Sequence, residues 1–175
     1  MPVKRIAWIG AIAAIALSVP FFGHGWNLLM HQIGAVVFMG NLIVSAAWMS
    51  LARRTRSGDA LRLGVRGVIL TDAIFTLPGA LLLLLNGGIL ATPFFEARAM
   101  WVMVSATLFI LSGLVWLAVL IPVQRRLWAA VESIPRGGDV PAGCEALLST
   151  WFRAGGVATL LPFATLVLMV LKPAF

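Results

Sequence analysis

Three residues in this chain have side chains suited to chemistry in an unusual place: His24, His31 and Asp72 each lie in or beside a long apolar run. An imidazole is a good iron ligand and titrates near neutrality, so His31 reads as an axial haem ligand, a metal ligand or a proton carrier. The alternative is an imidazole hydrogen-bonded to a neighbouring helix. On a helical wheel His31 shares a stripe with His24, Gly34, Ala35, Phe38, Leu42, Ser45 and Met49. Small residues below a histidine leave room for a flat cofactor or for close approach of another helix. His24 precedes His31 by two helical turns on the same face, about 10 Å away, so the pair cannot clasp one iron from opposite sides. Asp72 reads as a proton relay or substrate contact. Its other reading is an interhelical clamp, and the acid is expected to be either protonated or paired with an arginine from 53–66 or 125–126. Asn41 and Asn86 read as interhelical hydrogen bonders, and Glu96 with Arg98 as a rim ion pair.

The elements that must position these groups are set by charge-free gaps. No Lys, Arg, Asp or Glu falls between Arg5 and Arg53, between Arg98 and Arg125, or between Arg153 and Lys172, and between Arg66 and Glu96 there is only Asp72. A bilayer core needs about 20 apolar residues per helical span. These gaps match one or two spans each, and hydrophobic residues make up 61% of the 175. The reading is an all-α, polytopic transmembrane bundle in a single domain. It has five spans at about 6–22, 26–51, 65–91, 99–123 and 150–171: a four-helix core plus an N-terminal helix. Pro20, Gly23 and Gly25 divide the first gap, and Thr92-Pro93 ends span three. Lys4 and Arg5 before an apolar run suggest a signal peptide, but no small-residue cleavage site comes after it, so the segment is expected to stay as a helix.

With the amino terminus inside, 11 of the 13 Lys and Arg fall on the inner side, which predicts a cytoplasmic amino terminus in a bacterial inner membrane. The net charge of +7 is therefore topological and does not point to nucleic acid. Cys144 is the single cysteine, which excludes an internal disulfide and any paired-cysteine metal motif. There is no phosphate-binding loop, nucleophile motif or metal-ligand cluster. Pro78 and Pro162 are expected to kink their helices, each freeing a carbonyl for a nearby Ser or Thr. Gly34, Gly40, Gly79, Gly87, Gly88, Gly113, Gly155 and Gly156 are expected to allow close helix contacts. The segment 124–149 should form a loop centred on 135–141, flanked by amphipathic helical stubs.

The run Leu29-Met30-His31-Gln32-Ile33-Gly34-Ala35-Val36-Val37-Phe38-Met39-Gly40-Asn41 resembles the histidine-bearing helix of a bacterial integral-membrane group. That group takes in domain of unknown function 2269, the HemJ-type protoporphyrinogen oxidases and the CopD copper-resistance domain. Phe75-Thr76-Leu77-Pro78-Gly79 with Asn86-Gly87-Gly88, and the ending Trp151 to Gly156 then Leu168 to Pro173, are similar to the first of these families. The resemblance spans about 26–173, leaving the first helix as an addition. It implies haem b held by His31. The further charged residues and tryptophan-rich helix of the oxidases have no counterpart here. The functional expectations are a redox-accessory haem-binding bundle, a non-catalytic structural subunit of a larger respiratory or photosynthetic membrane complex packed against other subunits or its own copies, and a metal or small-solute transporter coupled at Asp72.

Overall fold

The computed structural model describes residues 2–18 and 23–174, apart from the Pro2 and Phe95 side chains. The described chain is helical nearly throughout. Helix α1 spans Pro2–Leu17, α2 Gly23–Arg54, α3 Gly58–Thr71, α4 Leu77–Glu96, α5 Met100–Val115, α6 Ile121–Glu132 and α7 Ala142–Leu171. One π-helical turn, Asp72–Thr76, joins α3 to α4, and another, Trp116–Leu120, joins α5 to α6. Four unbroken rods are thus long and apolar enough to cross a membrane: Gly23–Arg54, Gly58–Phe94, Met100–Glu132 and Ala142–Leu171. Helix α1, at 16 residues, is the shorter fifth. It lies beside α4, where Gly10 abuts Pro78 and Ser18 receives a hydrogen bond from Asn86. The expected break at Pro20 lies outside the described residues.

The long helices extend beyond their apolar stretches, because hydropathy marks where lipid is and not where a helix must stop. Helix α4 runs past Pro93 to Glu96, where a missing N–H costs one bond just before the final turn. The amphipathic stub after 123 is a direct continuation of the third rod, and α7 begins eight residues ahead of its expected span.

Pro162 sits inside α7 and cannot donate to the carbonyl of Ala158. That oxygen accepts from Ser112 Oγ at 2.6 Å, across from α5. Ser112→Ala should therefore cost about 1 kcal/mol, the worth of one hydrogen bond to an otherwise orphaned carbonyl. A thermal midpoint in detergent equal to wild type would show that the carbonyl does not need this partner.

Packing divides the bundle into pairs, α2 on α4 and α5 on α7. The α2–α4 seam is close: a Cβ on Gly34 would sit 2.9 Å from Leu82 Cβ and 3.0 Å from the Gly79 carbonyl. The pairs join at the basic end, where Met49, Leu61, Val65, Leu127, Val131, Cys144, Leu148 and Trp151 form a continuous core. There the connection 133–141 is tied to the start of α3. Gly58 N–H donates to the Gly138 carbonyl at 2.9 Å, and Asp59 accepts from Gly137 N–H at 2.8 Å. Arg62 donates to the carbonyls of Val131 and Ile134. Away from that end the pairs part, and a cleft opens between them.

Candidate functional site: a buried carboxylate in an intramembrane cleft

Asp72 opens the first π turn and is buried at 8% exposure. Its Oδ1 accepts from Thr76 Oγ1 at 2.8 Å and from Asn41 Nδ2 at 3.2 Å. Its Oδ2 accepts from Gln124 Nε2 at 2.8 Å and from Trp116 Nε1 at 3.4 Å. Asn41 Nδ2 also donates to Thr76 Oγ1 at 2.8 Å, and Ser45 Oγ donates to Asn41 Oδ1 at 3.5 Å. Three rods meet at this one side chain: α2, the α3–α4 rod and the α5–α6 rod each contribute a donor to it.

The clamp reading is half right. Asp72 does bind helices together, but every partner is neutral. Among the described residues the ion pairs are Arg53–Glu145 and Arg62–Asp59, so the expected arginine partner is absent, as is the Glu96–Arg98 pair. The arginines stay at the basic end, where water and acidic counter-charges are available. Gln124 occupies the place they were expected to take. Four donors satisfy a carboxylate's lone pairs yet bring no positive charge. A lone buried charge is costly in a membrane interior.

Both π turns converge on this acid. Asp72 is the first residue of one and Trp116 the first of the other, and they meet through the indole N–H. Such widened turns recur at functional sites because they re-aim side chains without ending a helix.

Asp72 also lines the cleft between the helix pairs, a space of about 750 Å³. Its walls are apolar and aromatic, with Phe38, Phe109, Trp116, Trp151 and Phe163 among them. Phe38 and Phe109 touch across it with ring centroids 5.4 Å apart. Of the described residues lining it, Asp72 alone ionises. The buried Trp151 has an indole N–H with no partner among the described residues. Gly113, Gly155 and Gly156 line the same cleft, and a Cβ on any of them would meet nothing closer than 4.0 Å. This corrects their expected role. They open space and do not bring helices together, whereas Gly34 and Gly79 serve the α2–α4 seam as expected. Gly40 and Gly88 likewise face open space. A larger basin, about 1100 Å³, lies at the basic end among Arg53, Arg54, Arg56 and Glu145. It is a water-facing recess whose Arg53 is already paired with Glu145.

His31 stands apart from this site. It precedes Asn41 by ten residues on α2, about 15 Å along the helix. Its Nδ1 lies 3.1 Å from the Leu83 carbonyl, and its ring packs on Gly87, where an added Cβ would come within 2.9 Å of Cε1. The small-residue stripe below it is filled by Leu82, Leu83 and Gly79 of α4, so no flat slot lies there. A ring that donates from Nδ1 to a carbonyl keeps Nε2 as its lone-pair nitrogen. His24 is exposed at the start of α2. Asn86 donates to Ser18 Oγ and to the Leu82 carbonyl, fastening α1 to α4. Among the described residues no group of three or more His, Cys, Asp or Glu is placed to hold a metal ion.

Trp116, Gln124, Thr76 and Ser45 were not singled out by their sequence positions. The available signal was that each is a polar group within or at the edge of an apolar run and so must find a partner. Which partner depends on helix register.

The profile of a family described as predicted integral membrane proteins, DUF2269, matches residues 28–173. The chain belongs to that family. The match begins within α2 and leaves α1 outside, so the whole Asp72 cluster and the whole cleft belong to the DUF2269 portion. No curated protein and no solved structure matches the chain.

Proposed function

We propose that this DUF2269 protein is a membrane-embedded binding protein that takes a lipophilic ligand from the lipid into the cleft between its helix pairs. Its basic end would face the cytoplasm of a bacterial cell. The observation that carries this reading is a buried carboxylate with only neutral partners on the wall of an apolar cleft. Three glycines with open space around them keep the cleft wide. The test uses diphenylhexatriene, an uncharged rod that accepts energy from tryptophan, with the protein in nanodiscs of uncharged lipid. Wild type should show saturable transfer above the lipid background, and Gly156→Phe and Gly113→Phe should abolish it. Undiminished saturable transfer in both folded variants would remove the cleft from the account.

A second reading has one observation in its favour. The His31 Nδ1 contact to Leu83 holds the ring in an orientation that leaves Nε2 basic, the arrangement a histidine ligand to haem iron requires. Haem bound there would be held by His31 and would supply one-electron chemistry. The check is an absorption spectrum of the purified protein, oxidised and dithionite-reduced. A Soret band lost in His31→Ala supports haem ligation, and a colourless wild-type preparation removes it.

A further inference from the structure

We infer that the ligand of this cleft is a lipophilic cation, an aromatic or alkyl body carrying an ammonium group that sits against Asp72. The inference rests on the cleft-binding reading and names its chemical class. Charge complementarity points there. Among the described residues the one ionisable group that lines the cleft is an acid, and no lysine, arginine or histidine shares the lining with it. Its four partners stabilise a carboxylate by hydrogen bonding but leave its charge uncompensated. A fixed arginine would have neutralised it, and the fold keeps every arginine away from the cleft wall. Without an occupant the acid can hold a proton, and an occupant bearing a positive charge would balance its ionised form.

The surroundings suit an organic cation better than a small hydrated one. Inorganic cations need several oxygen ligands, and here the carboxylate oxygens are already engaged by nitrogen and hydroxyl donors. The wall beside Asp72 offers aromatic faces instead, and a quaternary or alkyl ammonium is attracted to such faces. Trp116 combines both roles. Its N–H makes the longest of the four bonds to Asp72, at 3.4 Å, and its ring lines the cleft. An ammonium beside Oδ2 would meet the carboxylate and the indole face together. The lipid-facing walls then hold the apolar body, which explains why one acid suffices.

The experiment compares two probes of the same shape, diphenylhexatriene and its trimethylammonium derivative, in nanodiscs of uncharged lipid. Binding is read as saturable energy transfer from tryptophan, with thermal midpoints confirming that each variant is folded. Wild type should bind the cationic probe about tenfold more tightly than the neutral one, an electrostatic and cation–π preference. Asp72→Asn should bring that ratio to about one. A ratio near one in wild type, or a preference that survives Asp72→Asn, would overturn the cation inference and leave the cleft reading standing. Neutral-probe binding that survives both Gly156→Phe and Gly113→Phe would overturn the cleft reading and this inference with it.

Discussion

Asp72→Leu is expected to lower stability by about 4 kcal/mol, because it strands several buried donors that each cost roughly 1–3 kcal/mol when left without an acceptor. Gln124 Nε2, Trp116 Nε1 and one proton of Asn41 lose their acceptor together. Thr76 is better placed, since its hydroxyl can turn and still accept from Asn41. The leucine would fill the volume, so the loss is one of hydrogen bonding and not of packing. Asp72→Asn is the informative companion. It keeps one acceptor oxygen and removes the lone charge, and the two effects oppose each other, so it should stay within about 1 kcal/mol of wild type. Denaturant-dependent unfolding in one mild detergent, tracked by tryptophan fluorescence, separates the two variants. A leucine variant as stable as wild type would mean that the donors find water from the cleft, and that Asp72 does not hold the rods together.

The second large effect belongs to the α2–α4 seam. Gly34→Val should cost at least about 3 kcal/mol, the upper end of overpacking penalties. The reason is reciprocity. A Cβ at Gly34 meets the Gly79 carbonyl at 3.0 Å, and a Cβ at Gly79 meets the Phe38 nitrogen at 3.0 Å and the Gly34 carbonyl at 3.1 Å. Backbone atoms have no rotamer in which to yield, so the helices must separate. Separation would also stretch the bonds from Asn41 to Thr76 and Asp72, which bridge the same two rods. Gly79→Val should behave alike. Gly156→Ala is the control: it faces open space, so an added methyl meets nothing and alanine is the better helix former. Thermal midpoints falling for the seam variants and holding or rising for Gly156→Ala would confirm the division of glycines. Equal losses at all three positions would contradict it.

The sequence determined the apolar helices, the basic end and the need of the carbonyl freed by Pro162 for a Ser or Thr. These come from local rules. In lipid each helix must satisfy its own backbone bonds, so a charge-free run of sufficient length has one structural solution. The partners of Asp72 were decided elsewhere. An acid near an arginine cluster suggests an ion pair, yet Trp116, which opens the second π turn, and Gln124, which lies beyond it, are the groups that reach it. Equally, a glycine in an apolar helix reads the same whether another helix lies against it or a cleft opens beside it. Gly34 and Gly156 differ only in what the tertiary structure places over them. Helix formation is settled within one segment by its own hydrogen bonds. The site is settled by side chains brought together from segments as far apart as Asn41 and Gln124, and only the packing of whole helices fixes which of them meet.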